Sequence, residues 1–237
     1  MVYRVCFTIL LLGYVQSGMA TWSIIVADAR TKRIGIAGAS CTANVYGIGL
    51  IMPGKGAVVV QAMSNGMAKL KGFEMIRAGY ATADILKTLR EPQFNPEQQQ
   101  YAILTLDEIE KPLTYTGTNT FDSKGSLTGN GISVQGNTLA GQEVLQAVFD
   151  AASKAMKDSL PLQEILILAM EAGAKAGGDK RCGERKASSA FLAVCKPEDV
   201  DKHWLNLIVY GTDDRTHAVD ELRRKYDQWK INNKSGN

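Results

Sequence analysis

Histidine is nearly missing from this 237-residue chain: only His203 and His217 are present. Neither belongs to an HExxH pattern or has a second ligand at helical spacing, which argues against a histidine-built metal site. A Ser-His-Asp triad needs a histidine held by a partner, and both of these lie near the last strand and helix, where they read as structural or solvated. GxSxG and the phosphate-loop pattern are absent as well. Gly35, Gly38, Gly47 and Gly49 do not form GxGxxG and read as close sheet packing. The four cysteines have spacings unlike any zinc site. No lysine or arginine block and no basic-aromatic interleaving occurs, so nucleic acid is not an expected partner. The formal net charge is only +3, from 27 basic and 24 acidic residues. No metal and no organic cofactor is implied.

What is present suits one globular domain. The chain is 45% hydrophobic and 22% charged, near the globular average, and single domains run to about 250 residues. Residues 1–20 read as a secretory signal peptide. Arg4 is its positive charge, Val5 to Val15 its apolar stretch, and Gly18 and Ala20 the small residues before the cut. The apolar stretch is shorter than the ~20 residues that span a bilayer; the alternatives are an uncleaved anchor or a buried N-terminal strand. Cleavage after Ala20 by a signal peptidase makes the protein secreted or periplasmic, with no stable membrane anchor. It removes Arg4, leaving 26 − 24 = +2. It also removes Cys6, leaving Cys41, Cys182 and Cys195, which permit one disulfide and one free thiol. The sequence does not fix the pair; Cys182–Cys195 is favoured because a turn between them could bring them together.

The order of elements follows from periodicity and turn chemistry. Thr21 to Ala27 and Arg33 to Ala39 read as a β-hairpin around a polar turn at Asp28, and residues 47–52 and 56–62 as a second pair turned by Pro53-Gly54. Apolar residues from Met67 to Ile76 recur at helical spacing, and Thr82 can cap a second, short helix. Strands are expected at 101–106, near 113–116 and at 131–135. The polar, glycine-rich segment between the last two reads as a loop or hairpin; its acidic residues are too few for a calcium loop. Helices follow at 143–157 and 162–174, strands at 187–195 and 205–210, and a charged helix at 218–230 before a polar tail, 232–237. Grouped strands and grouped helices predict an α+β fold with antiparallel sheets covered by helices.

The remaining nucleophile is one that needs no histidine. A threonine at a free N-terminus carries its own base, an α-amine of pKa roughly 7.7–8.0 that is partly neutral near neutral pH. Cleavage after Ala20 would expose such a threonine at Thr21, at the start of a strand that holds the new terminus in a sheet.

Several stretches together resemble the DUF1028 family, grouped with the N-terminal-nucleophile (Ntn) hydrolases. They are TWSIIVADARTKRIGIAGAS at 21–40, VVVQAMSNG at 58–66, VQGNTLAG at 134–141, AGGDKR at 176–181 and the ending NLIVYGTDDRTHAVDELRR. The likeness spans residues 21–231 in order. It implies a four-layer αββα sandwich and an amide-bond hydrolase, and it points to six residues besides Thr21. Asn137 is an oxyanion donor or a turn former. Asp179 and Arg181 hold the ammonium and bind a substrate carboxylate, or form a helix-end salt bridge. Gln61 and Asn65 fix the substrate amide or Thr21, or cap the next helix. Ser40 offers a hydroxyl near the terminus. Relatives tend to show a glycine directly after the arginine, where this chain has Cys182. A degenerate site on the same fold, making a secreted binding protein, is the alternative. The substrate class, a small-molecule or peptide amide, is not narrowed further, and a homo-oligomer is left open.

Overall fold

The computed structural model describes residues 21–200 and 202–234. The leader read at residues 1–20 and the end of the polar tail lie outside them. The chain opens with strand β1 (Thr21–Asp28) and its hairpin partner β2 (Arg33–Ser40). Asp28 makes the turn: one carboxylate oxygen accepts the Arg30 N–H at 2.9 Å and the other the Thr31 hydroxyl at 2.7 Å. A second hairpin follows, β3 (Gly49–Met52) and β4 (Gly56–Ala62), then α1 (Gly66–Ala78) and α2 (Thr82–Leu89). Four strands come next: β5 (Gln99–Thr105), β6 (Leu113–Thr116), β7 (Gly125–Gly129) and β8 (Ile132–Asn137). Helices α3 (Glu143–Lys157) and α4 (Leu162–Lys175) lead to β9 (Ser189–Cys195), β10 (Leu205–Val209) and α5 (Ala218–Lys234).

All strand pairs are antiparallel, and they form two sheets. One runs β10-β9-β2-β1-β8-β7 and the other β3-β4-β5-β6. Strand alternation decides what each face meets. Trp22, Ile24 and Val26 of β1 pack with Val148 of α3 and Leu166 and Met170 of α4. The intervening Ile25 and Ala27 point the other way and meet Val59 and Leu104 of the second sheet. That sheet's outer face, through Val58, Val60 and Ile103, packs on Ile76 of α1 and Ile85 and Leu89 of α2. Burying one such side chain contributes roughly 1.5–3 kcal/mol, against about 0.5–1.5 for a typical internal hydrogen bond. The apolar alternation therefore fixes which way each strand faces. Helix α4 lies so close to β1 that a Cβ on Gly173 would stand 2.6 Å from the Trp22 indole nitrogen; only glycine fits there.

Some elements differ from the sequence reading. Thr82 does not cap α2: it is the first helical residue, and its N–H and hydroxyl are both taken by Glu108 from a distant loop. Of the two readings of the segment before β8, loop or hairpin, the hairpin holds: it carries strand β7, paired with β8. Helix α5 runs to Lys234, past the expected end at Lys230.

Helix α5 is tied to α4 by ions. Arg223 bridges Glu164 and Glu171, and Glu164 also accepts from the Tyr226 hydroxyl at 2.8 Å and Lys230 at 3.1 Å. Burial alone would raise the Glu164 pKa, but the bonds from Tyr226, Lys230 and Arg223 outweigh it and hold the carboxyl below its ordinary value. A carboxyl depressed in the folded state contributes stability above its unfolded pKa, about 4.3, and loses it as pH falls through the folded value. Thermal unfolding followed from about pH 7 down to about pH 3 should show a steeper loss for the native chain than for Glu164→Gln. Parallel curves would mean that Glu164 does not couple to stability.

Candidate functional site

Thr21 is the first residue of a strand near the middle of the six-stranded sheet. Its register partners are Ser40 on β2 and Asn137 on β8, and Ser40 is in turn opposite Ser189 on β9. Directly opposed residues of antiparallel strands share a face, so Asn137, Thr21, Ser40 and Ser189 form a row. All four are at most 1% exposed. The row lies on the face of Ile25 and Ala27, toward the second sheet. The layer between the sheets thus changes along its length, apolar at the hairpin end of β1 and polar at the Thr21 end.

The second sheet answers with two buried glutamines in register, Gln61 on β4 and Gln100 on β5. Gln61 Nε2 donates to the Gln100 side-chain oxygen at 2.9 Å and to the Thr21 carbonyl at 3.3 Å. Its oxygen accepts the Ser23 hydroxyl at 2.6 Å, and Ser23 in turn accepts from Gln135. Asn137 Nδ2 donates to Gln100 Oε1 at 2.9 Å, and Gln100 Nε2 donates to the Gly136 carbonyl at 2.8 Å. One primary amide, Gln100, so binds both the residue that holds the Thr21 carbonyl and the residue beside Thr21. The Ser189 hydroxyl is buried and has no hydrogen-bond partner among the described residues.

Directly after Gln61 and Asn137 the backbone turns through left-handed conformations without glycine: φ is 70° at Ala62, 48° at Ser64 and 53° at Thr138. For a β-branched threonine this is an outlier, and each such residue costs on the order of 1–3 kcal/mol. The surrounding network holds the chain in this strained exit from both sheets.

Asp179 and Arg181 sit in the tight turn after α4. Asp179 is fully buried; its carboxylate accepts the Cys41 N–H at 2.7 Å, the Arg181 N–H and Nε at 3.1 Å each, and Arg181 Nη2 at 2.8 Å. The pair is joined to the Thr21 row through Cys41, the neighbour of Ser40. The covalent link is Cys41–Cys182, not Cys182–Cys195. Ser189 and Cys195 stand at opposite ends of β9, opposite Ser40 and Ile34, so Cys195 is roughly 20 Å along the strand from the Ser40 end. Its thiol is buried, and burial, with a smaller effect from Asp199, pushes its pKa up to about 12.

Asn65 does not join the row. Its side-chain oxygen caps α1 at the Ala68 N–H, and its Nδ2 donates to the Phe94 carbonyl, both at 3.0 Å. The sequence reading missed Ser23, Gln100, Gln135 and Ser189. On three of the strands the signal was present: Ser23, Gln100 and Ser189 fall on the same parity as inward-facing apolar residues, whereas on β8 that parity is polar throughout, Ser133, Gln135 and Asn137. Replacing Gln100 with leucine leaves the Gln61 and Asn137 amides without a shared acceptor. At about 1–3 kcal/mol for each orphaned buried group, Gln100→Leu should cost about 2–4 kcal/mol in urea unfolding. A loss below ~0.5 kcal/mol would show that the network is not coupled through this residue.

Two cavities lie away from the row. One, of about 590 Å³, is at the hairpin end of β1; the other, of about 880 Å³, lies beside Tyr46, Trp204 and Trp229. Among the described residues no group of three or more His, Cys, Asp or Glu is placed to hold a metal ion, and no helix is long and apolar enough to cross a membrane.

Fold and site together define an α+β protein of two facing antiparallel sheets with a polar row buried between them at one end. The family described as "Family of unknown function (DUF1028)" matches residues 21–222, and the chain belongs to it. Its structure is similar to the crystal structure of protein SPO2555 from Silicibacter pomeroyi, with a TM-score of 0.75 at 24% identity, over 88% of this chain and 85% of that one. No curated protein matches.

Proposed function

We propose that cleavage after Ala20 turns this chain into a secreted or periplasmic N-terminal-nucleophile hydrolase that cleaves a C–N amide bond through Thr21. One observation carries the reading: Thr21, the residue after the expected cut, opens a strand in the middle of a sheet and lies in a buried polar row between Ser40 and Asn137. In the precursor its nitrogen is an amide and no base. In the mature chain that nitrogen becomes an amine beside its own hydroxyl. Thr21 Oγ1 attacks the substrate carbonyl, and the amine takes the hydroxyl proton and passes it to the leaving amine. Asn137 Nδ2 spends one proton on Gln100, and its second, with a backbone N–H, stabilises the oxyanion. Water then releases the acyl group. The stacking of helices, sheet, sheet and helices fits the four-layer αββα sandwich that the Ntn likeness implies.

A catalytically degenerate binding protein on the same fold is the second reading. The four donors already on the Asp179 carboxylate favour it, since they leave little acceptor capacity for an ammonium. N-terminal sequencing and intact mass of the exported protein test the maturation step. A start at Thr21 is expected, and any other start sinks the mechanism.

A further inference from the structure

The cavity at the hairpin end of β1 stands apart from the polar row. Asp28 and Thr21 stand at opposite ends of an eight-residue strand, roughly 23 Å apart at strand rise. The volume of about 590 Å³ falls within the ~300–1,000 Å³ of small-molecule sites. Its walls are Val26, Ile132, Phe149, Met156, Leu162 and Ile165, from two strands and the facing ends of α3 and α4. Phe149 and Met156 are only partly covered, and Leu160 at the mouth is 37% exposed. Apolar surface left in water forgoes roughly 25 cal/mol per Å², so an apolar ligand body gains by entering.

The mouth has a definite charge. Arg30 and Lys157 stand on it, and Asp28 is its one acidic residue. The Asp28 carboxylate accepts the Thr31 hydroxyl and the Arg30 backbone N–H and stands 3.9 Å from the Arg30 guanidinium, so Arg30 is loosely paired and Lys157 carries the free charge. Lys154, three residues earlier on α3, is paired with Asp158, whereas Lys157 has no ion-pair partner among the described residues. An unpaired cation beside an apolar recess selects a ligand that is apolar along its length and anionic at its end.

We infer that this cavity binds an amphiphilic monocarboxylate of the fatty-acid class, its chain among the apolar walls and its carboxylate between Arg30 and Lys157. Nothing in this depends on chemistry at Thr21.

The test is a fluorescence titration of the purified protein with cis-parinaric acid, followed by displacement with dodecanoate and dodecanol. Saturable one-to-one binding is expected, with dodecanol displacing at least about tenfold less well than dodecanoate. Lys157→Glu should weaken binding about tenfold, equivalent to about 1.4 kcal/mol, and Ser153→Trp, which fills the cavity from α3, should abolish it. Thr21→Ala should bind as the parent does, which separates this site from the proposed hydrolase. The inference is overturned by no saturable binding, by equal displacement with the alcohol, or by parent-like affinity in Lys157→Glu. A signal seen only with anionic phospholipid vesicles would also overturn it, by pointing to a membrane surface. Should Ser153→Trp fail to fold, the exposed Lys157 position decides alone.

Discussion

Thr21→Ala should abolish covalent labelling of the mature protein by an amide or lactam probe, a loss of roughly three orders of magnitude or more by analogy with removal of other nucleophiles. Alanine still follows Ala20, so the cut that exposes the terminus is retained. The backbone pairing of residue 21 with Ser40 and Asn137 needs no side chain, so the variant should fold. Thr21→Ser keeps a hydroxyl beside the amine and should keep measurable labelling. The native rate should rise with pH through about 7.7–8.0, because only the neutral amine can accept the hydroxyl proton. Equal labelling of Thr21→Ala and the native chain would refute the nucleophile and leave a binding protein. Intact-mass spectrometry reads both results.

Removal of the Cys41–Cys182 bridge, by Cys41→Ser with Cys182→Ser, should produce the largest loss of stability. The bridge closes a separation of 141 residues. A chain-entropy treatment gives about 5 kcal/mol for a loop of that length, and native disulfides typically contribute 2–5. For a domain of this size each kcal/mol moves Tm by about 2–4 °C, so a fall of roughly 4–20 °C is expected by calorimetry. The effect should also be local. The bridge joins the residue after Ser40 to the turn that carries Asp179 and Arg181, and Asp179 accepts the Cys41 N–H. Labelling at Thr21 should therefore weaken well below the unfolding temperature. An unchanged Tm would mean that the Asp179 contacts alone hold the two segments.

Strand and helix identity was legible where alternation or helical spacing was strong. The β1–β2 hairpin, α3 and α4 stand within a residue or two of their expected limits. Strand β7 was legible only as one arm of a possible hairpin, because Gly125 to Gly129 is an edge segment with a single large apolar residue, Leu127. Thr82 looked like a cap because its type suits one, yet the acceptor for its donors comes from Glu108, which no local reading can supply. The disulfide was misread for a related reason. A short stretch of sequence between Cys182 and Cys195 says nothing about a strand that carries one of them to the far end of the sheet. In the site, the expected cut and the chemistry of an N-terminal hydroxyl pointed to Thr21, and the family resemblance pointed to Ser40, Gln61 and Asn137. Gln100, the common partner of Gln61 and Asn137, becomes visible only when β5 is laid in register against β4.

The polar row also acts as a key for strand alignment. A one-residue slip is already forbidden, since it turns every side chain to the wrong face. A two-residue slip keeps the facing and is the harder error to prevent in strands as uniformly buried as these. Sliding β8 by two against β1 would set Gln135 opposite Thr21 and leave Asn137 beyond the strand's end, away from Gln100. Sliding β1 by two against the second sheet would bring Ile25 to the oxygen of Gln61 that Ser23 now serves. Each misalignment strands a buried amide in an apolar layer, at about 1–3 kcal/mol apiece. The residues grouped around Thr21 thus allow only one setting of the strands, the one that places Thr21 between Ser40 and Asn137.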